Sequence, residues 1–426
     1  METKFTNSMK SVLCSLLVCP VMLIPTAVSA EDAFWEALTN GKTDFSLRVR
    51  YENVDDDLQP NEANATTARF ALGYKTGLFH GFGAYGQVEH IQDIFGGTYN
   101  NPADPEPGYA TIVDPVGTEI NQSYIFYTGL ADTTFKAGRQ NITYRKAPFH
   151  RYVGTILWRQ NWQTQDAFTI VNNSLPDTTL SYAYSWKVNR IFGEDAPSPL
   201  DSFDSDSHLI NVQYDGFSNT KIEAYAYLLD FDNAAAFSTD TYGLRANGGI
   251  PINEKVKAIY TAEYATQSDS ADNPNSIDAD YYLAEVGANF KLGGSFKDLT
   301  LKLSHEVMEG NGGADRFVTI LGTNHAFQGW ADRFLVTPGT GIKDTYVTAV
   351  LKAFGAKFVV SYHDLDSDEG SYDYGNELDL LALKTIGKHY TVGLKYADYD
   401  ADNNSNNSGA QAADTTKFWA FVQMKF

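Results

Sequence analysis

TLSYAYSWKVN, residues 179–189, is the stretch that decides the predicted fold, because apolar and polar side chains alternate strictly through it. Leu180, Tyr182, Tyr184, Trp186 and Val188 fall on one face of an extended strand, and smaller or polar residues fall on the other. A period of two residues predicts a strand with one apolar and one polar face. Outward from this stretch, segments 43–53, 67–75 and 254–264 alternate in the same way.

The links between such segments are as informative as the segments themselves. We interpret the chain as 18 strands, an even number, joined by links that are alternately long and short. The short links are residues 77–81, 130–132, 173–177, 217–218, 249–253, 292–296, 354–355 and 387–388. Short turns at one end and long loops at the other are typical of an outer-membrane barrel. The predicted fold class is therefore all-β, a transmembrane antiparallel barrel with short periplasmic turns and long extracellular loops.

Composition restricts the function classes. Aromatic residues make up 14% of the chain, and the formal net charge is −21, which argues against a nucleic-acid partner. Beyond Ala30 no apolar run is long enough for a transmembrane helix. Residues 1–30 are expected to be a cleaved signal peptide, because a basic start and an apolar run precede Val28-Ser29-Ala30. Residues 31–426 would then form one barrel domain without cysteine, since Cys14 and Cys19 lie in the signal.

The C-terminal strand predicts how the barrel is assembled. Phe418, Ala420, Val422, Met424 and Phe426 share one face, and the terminal Phe426 resembles the signal read by the outer-membrane assembly machinery. In lipid, every backbone N–H and C=O must pair within the protein, so an all-strand chain must close. A barrel of this size is too wide for its own wall side chains to fill, which predicts a water channel.

Acidic residues are concentrated in the predicted outer loops. Residues 54–65, 191–206 and 366–374 carry several Asp and Glu side chains, and none carries Lys or Arg. Two interpretations stay open: solvated loops, or bridging of lipopolysaccharide through divalent cations. The bilayer and its lipopolysaccharide are the expected surroundings.

One long loop has the opposite charge. Residues 144–163 contain Arg145, Lys146, Arg151 and Arg159 without any acid, so we expect this loop to fold into the barrel and form a basic constriction. The predicted lumen residues are Arg48, Arg50, Arg69, Arg139, Arg145, Lys146, Arg151, Arg159, Lys187, Arg245 and Lys257. Lys75 and Lys255 fall on the same faces. Guanidinium groups bind carboxylates in a bidentate way, which predicts an anionic solute. The alternative is that these bases only neutralise lumen acids such as Glu52, Glu119, Glu263 and Glu285.

The phase of Arg139 is ambiguous, because the alternation slips around Gly138-Arg139-Gln140. A β-bulge at this point would turn Arg139 inward.

Signals for catalysis, cofactors and metals are poor. Residues 81–86, GFGAYG, match the glycine pattern of dinucleotide sites but open a strand instead of a helix. Ser304-His305-Glu306 lacks the second histidine of a zinc protease, and the eight histidines show no ligand spacing. No enzyme, cofactor or metal site is expected.

Several strings resemble the alginate export family of outer-membrane porins. They are Ala137–Gln140, Trp158–Asn161 with Asp166-Ala167, Leu175–Tyr184, Val188–Arg190, Gly329–Leu335, Thr337-Pro338 and Gly341–Tyr346. The resemblance implies a monomeric 18-stranded barrel with an arginine-rich lumen that passes an acidic polysaccharide such as alginate. The short periplasmic turns depart from a dedicated polymer exporter, since nothing in them can plug the pore from below. A general or nutrient-uptake porin for small anions stays open as the alternative, and a barrel enzyme or adhesin as a third.

Overall fold

The computed structural model describes residues 27–403 and 407–426 and contains a closed barrel of 18 antiparallel strands. The strands are β1 Lys42–Asp56, β2 Ala63–Lys75, β3 Phe82–Asp93, β4 Gly117–Tyr127, β5 Thr133–Gln140, β6 Thr164–Asn172, β7 Thr178–Asn189, β8 Ser202–Phe217, β9 Thr220–Leu229, β10 Thr239–Pro251, β11 Val256–Asp269, β12 Asp278–Gly293, β13 Phe296–Met308, β14 Ile342–Ala353, β15 Ala356–Asp366, β16 Asp373–Ile386, β17 Tyr390–Ala401 and β18 Thr415–Lys425. The predicted fold class and strand number are confirmed.

The barrel closes because its first and last strands pair. β1 lies between β2 and β18, with Ser46 opposite Lys425 at one end of the second ladder and Asp56 opposite Thr415 at the other. Every other strand pairs with its neighbours in sequence, so no strand edge is left open to lipid. The last residue joins the seam as well, since the Phe426 N–H donates to the Phe45 carbonyl at 2.9 Å.

The two faces of the wall differ as the alternation predicts. Outward side chains are large, apolar and exposed, for example Leu72, Val88, Ile125, Leu303 and Val347. Many inward side chains are polar or charged and buried, beside a smaller set of buried apolar ones such as Leu209 and Trp419. An exposed apolar belt on a closed sheet is the surface that lipid covers.

A short helix that the sequence interpretation missed precedes the barrel. α1, Ala27–Thr39, crosses the predicted signal boundary after Ala30, and the predicted signal otherwise lies outside the described residues. The helix packs on the β2–β3 turn, where the Gly77 N–H donates to the Ala37 carbonyl at 2.8 Å. Within residues 27–403 and 407–426, no helix is long and apolar enough to cross a membrane.

Two long loops turn into the barrel. Inner loop A, residues 141–163, joins β5 to β6, and inner loop B, residues 309–341, joins β13 to β14. Inner loop B contains a small hairpin, Gly310–Gly312 with Asp315–Arg316. Their buried residues contact inward side chains from widely separated strands, so the core of this protein lies in the lumen.

Candidate functional site

Inner loop A is held across the lumen by its arginines, as its lack of acid predicted. The Arg145 guanidinium reaches two strands, with Nε 2.9 Å from Glu223 on β9 and Nη2 2.5 Å from Glu263 on β11. Burial disfavours the charge on Arg145, but the carboxylates of Glu263 and Glu223 outweigh it and raise its pKa well above the ordinary value. Arg145 is therefore a permanent cation that links the loop to the wall.

The other two arginines of inner loop A reach different parts of the wall. Arg151 lies 2.9 Å from Glu306 on β13, and Arg159 lies 3.0 Å from Glu52 on β1. All four side chains are almost fully buried. A buried ion pair is tolerated only when geometry and hydrogen bonds compensate for lost hydration, so these pairs fix the path of the loop.

Inner loop B attaches to another arc of the wall, β16–β18 with the end of β1. The Ala331 N–H donates to Glu377 on β16 at 2.7 Å, and Lys417 on β18 lies 2.8 Å from Asp332. Arg333 pairs with Asp56 at the end of β1 at 2.5 Å. Loop B is therefore fixed to the wall strands on both sides of the β18–β1 seam.

The two inner loops are joined to each other by backbone and ring contacts. The Gly154 N–H donates to the Leu321 carbonyl at 2.9 Å, and the Thr323 N–H donates to the His150 carbonyl at 2.8 Å. The rings of Trp158 and His325 stack with centroids 4.8 Å apart. We call the joined loops the plug.

A histidine at the centre of the plug makes contacts that fit its neutral form. Burial lowers the pKa of His325 to about 3. Neutral imidazole has one donor and one acceptor: Nδ1 lies 2.6 Å from Asp332, which must accept, and Nε2 lies 2.5 Å from Nζ of Lys395, which must donate. The Lys395 ammonium also lies over the rings of Trp330 and Trp158, at 3.8 and 4.4 Å from their centroids.

Most of the predicted lumen arginines are already paired with acids. Besides the three on inner loop A, Arg50 contacts Asp114 and Glu52, Arg69 contacts Glu89, and Arg245 contacts Glu263. Arg48 is the exception, since its guanidinium donates to Gln160 and to the carbonyls of Leu157 and Arg159. The charge-neutralising alternative thus describes the contacts of the plug with Glu52 and Glu263. Glu285 is neutralised by a wall lysine, Lys302. Glu119 instead accepts from Asn161 and from the Glu194 N–H.

Two predicted lumen residues are on the outer face instead. Arg139 pairs with Asp166 at 2.8 Å, and Lys187 lies opposite the same Asp166 in the next ladder. The registers on both sides of Gly138–Gln140 are continuous, so the expected bulge is absent there and Arg139 keeps the face of Phe135, whose ring contacts outward Phe168.

The bulge is located in β7 instead. Ser185 and Lys187 flank a register shift at Trp186 on both neighbouring ladders. The shift turns Val188 inward, where it is fully buried, and Lys187 outward. The alternation of TLSYAYSWKVN therefore holds only up to Trp186.

The lumen half next to the short turns has a different charge pattern. We call it the vestibule. Its inward bases are Lys42, Lys75, Lys136, Lys221, Lys257, Lys291, Lys302, Lys352, Lys357 and Lys425, and its inward acids are Asp44, Asp215, Glu285 and Asp298. Three lysines pair with three of the acids: Lys221 with Asp215, Lys302 with Glu285, and Lys352 with Asp298.

Seven vestibule lysines form no ion pair among the described residues. Only one vestibule acid, Asp44, is without a basic partner there, and it accepts hydrogen bonds from Tyr85 and Gln87. Lys257 was predicted and Lys75 noted on the lumen face, but the ring as a whole was missed. Strand phase alone could have found it, since each member shares a face with polar residues next to a short link. Lys146, the remaining predicted base, is exposed on inner loop A.

The geometry favours no catalytic or metal-binding arrangement. In the described ranges, no three His, Cys, Asp or Glu side chains are placed to hold a metal ion together. What the site does provide is a plug of paired charges above a water-accessible chamber lined by unpaired ammonium groups.

Comparison with known proteins places the fold. The sequence matches no protein-family model and no curated protein. Solved structures do match: OccAB2 of Acinetobacter baumannii has a TM-score of 0.69 at 16% identity, covering 92% of this chain and 99% of that one. OpdK of Pseudomonas aeruginosa with vanillate has a TM-score of 0.66 at 15% identity (91% and 99% covered), and OccD3 (OpdP) of the same organism 0.64 at 16% (92% of each). This chain therefore shares the barrel fold of Occ-type outer-membrane porins.

The expected membership of the alginate export family is wrong. The solved structures found to share this fold include the Occ-type porins named above, and no family model supports the resemblance. Three of the matching strings, Trp158–Asn161, Gly329–Leu335 and Thr337-Pro338, lie in the plug. The first two contact each other through Arg159 and Asp332, and the second contacts the wall through Ala331. Such strings reflect how the lumen is filled and say little about which solute passes.

Proposed function

We propose that this protein is an outer-membrane diffusion channel for small anionic solutes and has no enzymatic activity. One observation carries the proposal: within the described part of the chain, the vestibule has seven lysines that form no ion pair and one acid without a basic partner. A chamber with this charge concentrates anions and repels cations. Buried ion pairs tie the plug to strands on several sides of the lumen, which favours small solutes over polymers.

The shared fold supports the channel part of the proposal. A wall that is apolar outside and polar inside suits passage of water-soluble molecules through lipid. One solved structure of the similar OpdK contains vanillate, an aromatic carboxylate, so a small carboxylate is a sensible first probe.

Planar bilayer recording tests both parts. Purified protein should give stepwise conductance, and a KCl gradient should give a reversal potential with the sign of anion selectivity. Millimolar vanillate should reduce the current, whereas the uncharged vanillyl alcohol should leave it unchanged. Cation selectivity would contradict the anion assignment, and absence of any current from correctly folded protein would contradict the channel.

A further inference from the structure

The short-turn end of the barrel exposes apolar side chains in a regular way. Leu130, Leu175, Phe217 and Leu292 lie at or beside four of the eight short turns, and each is about half exposed. The remaining four turns carry Leu78, Ile252, Phe354 and Ile386, and the exposed fraction over all eight is 49–62%. Phe426, 55% exposed, occupies the same position at the β18–β1 seam. Every hairpin junction at this end therefore has one large exposed apolar residue.

Turn chemistry alone does not explain these residues. Tight turns in water select Gly, Asn, Asp, Pro and Ser, and such residues are present beside each apolar one, for example Asp132, Gly355 and Gly387. The opposite end of the barrel differs. Five of its nine long loops carry no large exposed apolar side chain among their described residues. Four long loops do carry such residues, for example Leu58, Phe95 and Phe149. Only at the short-turn end is there one beside every hairpin junction.

Contacts show that these side chains turn toward the outer wall and away from the lumen. The Phe354 ring packs edge-on against Phe296 at 5.1 Å, and the Phe217 ring against Tyr214 at 5.2 Å. Phe296 and Tyr214 are themselves exposed members of the outer wall. The turn residues therefore extend the lipid-facing belt past the ends of the strands.

Helix α1 adds to the same surface. Phe34 packs edge-on against Phe79 of the β2–β3 turn at 5.5 Å, and Trp35 is 56% exposed beside it. An indole at this height suits the interface between acyl chains and headgroups.

We propose that these residues form an apolar collar that inserts into the inner phospholipid leaflet, so that the short turns sit within the membrane interface instead of projecting into water. The inference rests on the proposed outer-membrane location. Its occupant is phospholipid, because the collar is continuous with the apolar belt that lipid already covers. The vestibule would then open directly at the headgroups.

Site-directed spin labelling tests the collar in the full chain. Cys14 and Cys19 are the only cysteines and lie in the predicted signal, so residues 31–426 are already a cysteine-free background for single labels. Nitroxides at Phe217→Cys and Ile386→Cys are compared with matched labels at the neighbouring polar residues, Ser218→Cys and Lys388→Cys. The labels are measured in phosphatidylethanolamine–phosphatidylglycerol vesicles. The nitroxides at 217 and 386 should be several-fold more accessible to oxygen than to a water-soluble nickel chelate. The nitroxides at 218 and 388 should be more accessible to the nickel chelate.

Two results would overturn the collar: equal nickel access at all four positions, or shielding of 217 and 386 from both reagents, which would indicate protein contact. A variant with Leu130, Leu175, Leu292 and Ile386 all replaced by Ser adds a second measurement. It should fold into vesicles several-fold more slowly than wild type and keep wild-type conductance and selectivity once folded. A folding rate of the four-Ser variant equal to that of wild type would also contradict the collar. If the channel proposal alone were wrong, current would be missing while the labels at 217 and 386 still reported a lipid environment.

Discussion

Reversing three vestibule lysines should abolish ion selectivity. Lys75, Lys257 and Lys357 face the lumen, are exposed, and form no ion pair among the described residues. The vestibule has ten bases and four acids, a net charge of six. Each Lys→Glu change removes two charges, so the triple variant has none left.

The size of the effect follows from Coulomb's law. At about 10 Å, one Debye length in 0.1 M salt, a unit charge in water contributes about 0.15 kcal/mol after screening. Six charges contribute about 0.9 kcal/mol, favourable for an anion and unfavourable for a cation, which is roughly a 20-fold preference. Across a tenfold KCl gradient, whose ideal limit is about 59 mV, the wild type should then reverse near 50 mV.

Bilayer reversal potentials for a graded series check this value. The triple Lys→Gln variant retains half the net charge and should reverse at about 30 mV, and the triple Lys→Glu variant should reverse near zero. The triple Lys→Arg variant keeps the charge and serves as the control, with the wild-type potential. If the Glu variant retained wild-type selectivity, the vestibule would not set selectivity and the reasoning from its charge would fail.

Two further predictions concern the plug. Arg145→Gln leaves Glu223 without its basic partner and should destabilise the attachment of inner loop A by about 3–5 kcal/mol. The expected readouts are noisier current and faster proteolysis of inner loop A. Arg139→Gln is the control: it breaks a partly exposed pair on the outer wall, should cost under about 1 kcal/mol and should leave the current noise unchanged. Because burial lowers the pKa of His325 to about 3, below its value near 6.5 in an unfolded chain, the plug should lose stability as pH falls from about 6.5 toward 3, by up to about 1.4 kcal/mol per pH unit. Current noise should rise over that range in the wild type and stay level in His325→Gln; a flat wild-type response would contradict the neutral assignment.

The sequence by itself determined the barrel. The apolar and polar residues alternate with a period of two, and the links between strands are alternately short and long. Because lipid cannot pair with backbone N–H and C=O groups, a closed sheet is the one fold that fits this pattern. The basic, acid-free composition of residues 144–163 also singled out this loop among the long ones, and in the structure its arginines lie on carboxylates of the lumen wall.

Only the tertiary structure decided which charges are available to a solute. Pairing of Arg145 with Glu223 and of Arg159 with Glu52 depends on contacts between residues 78 and 107 positions apart, which strand phase cannot predict. The one-residue bulge at Trp186 moved Lys187 to the outer face, and a bulge expected near Arg139 was absent, because side-chain packing between strands decides where a register slips. Seven of the ten vestibule lysines form no ion pair among the described residues, because the plug stops above them and no described loop brings an acid within reach.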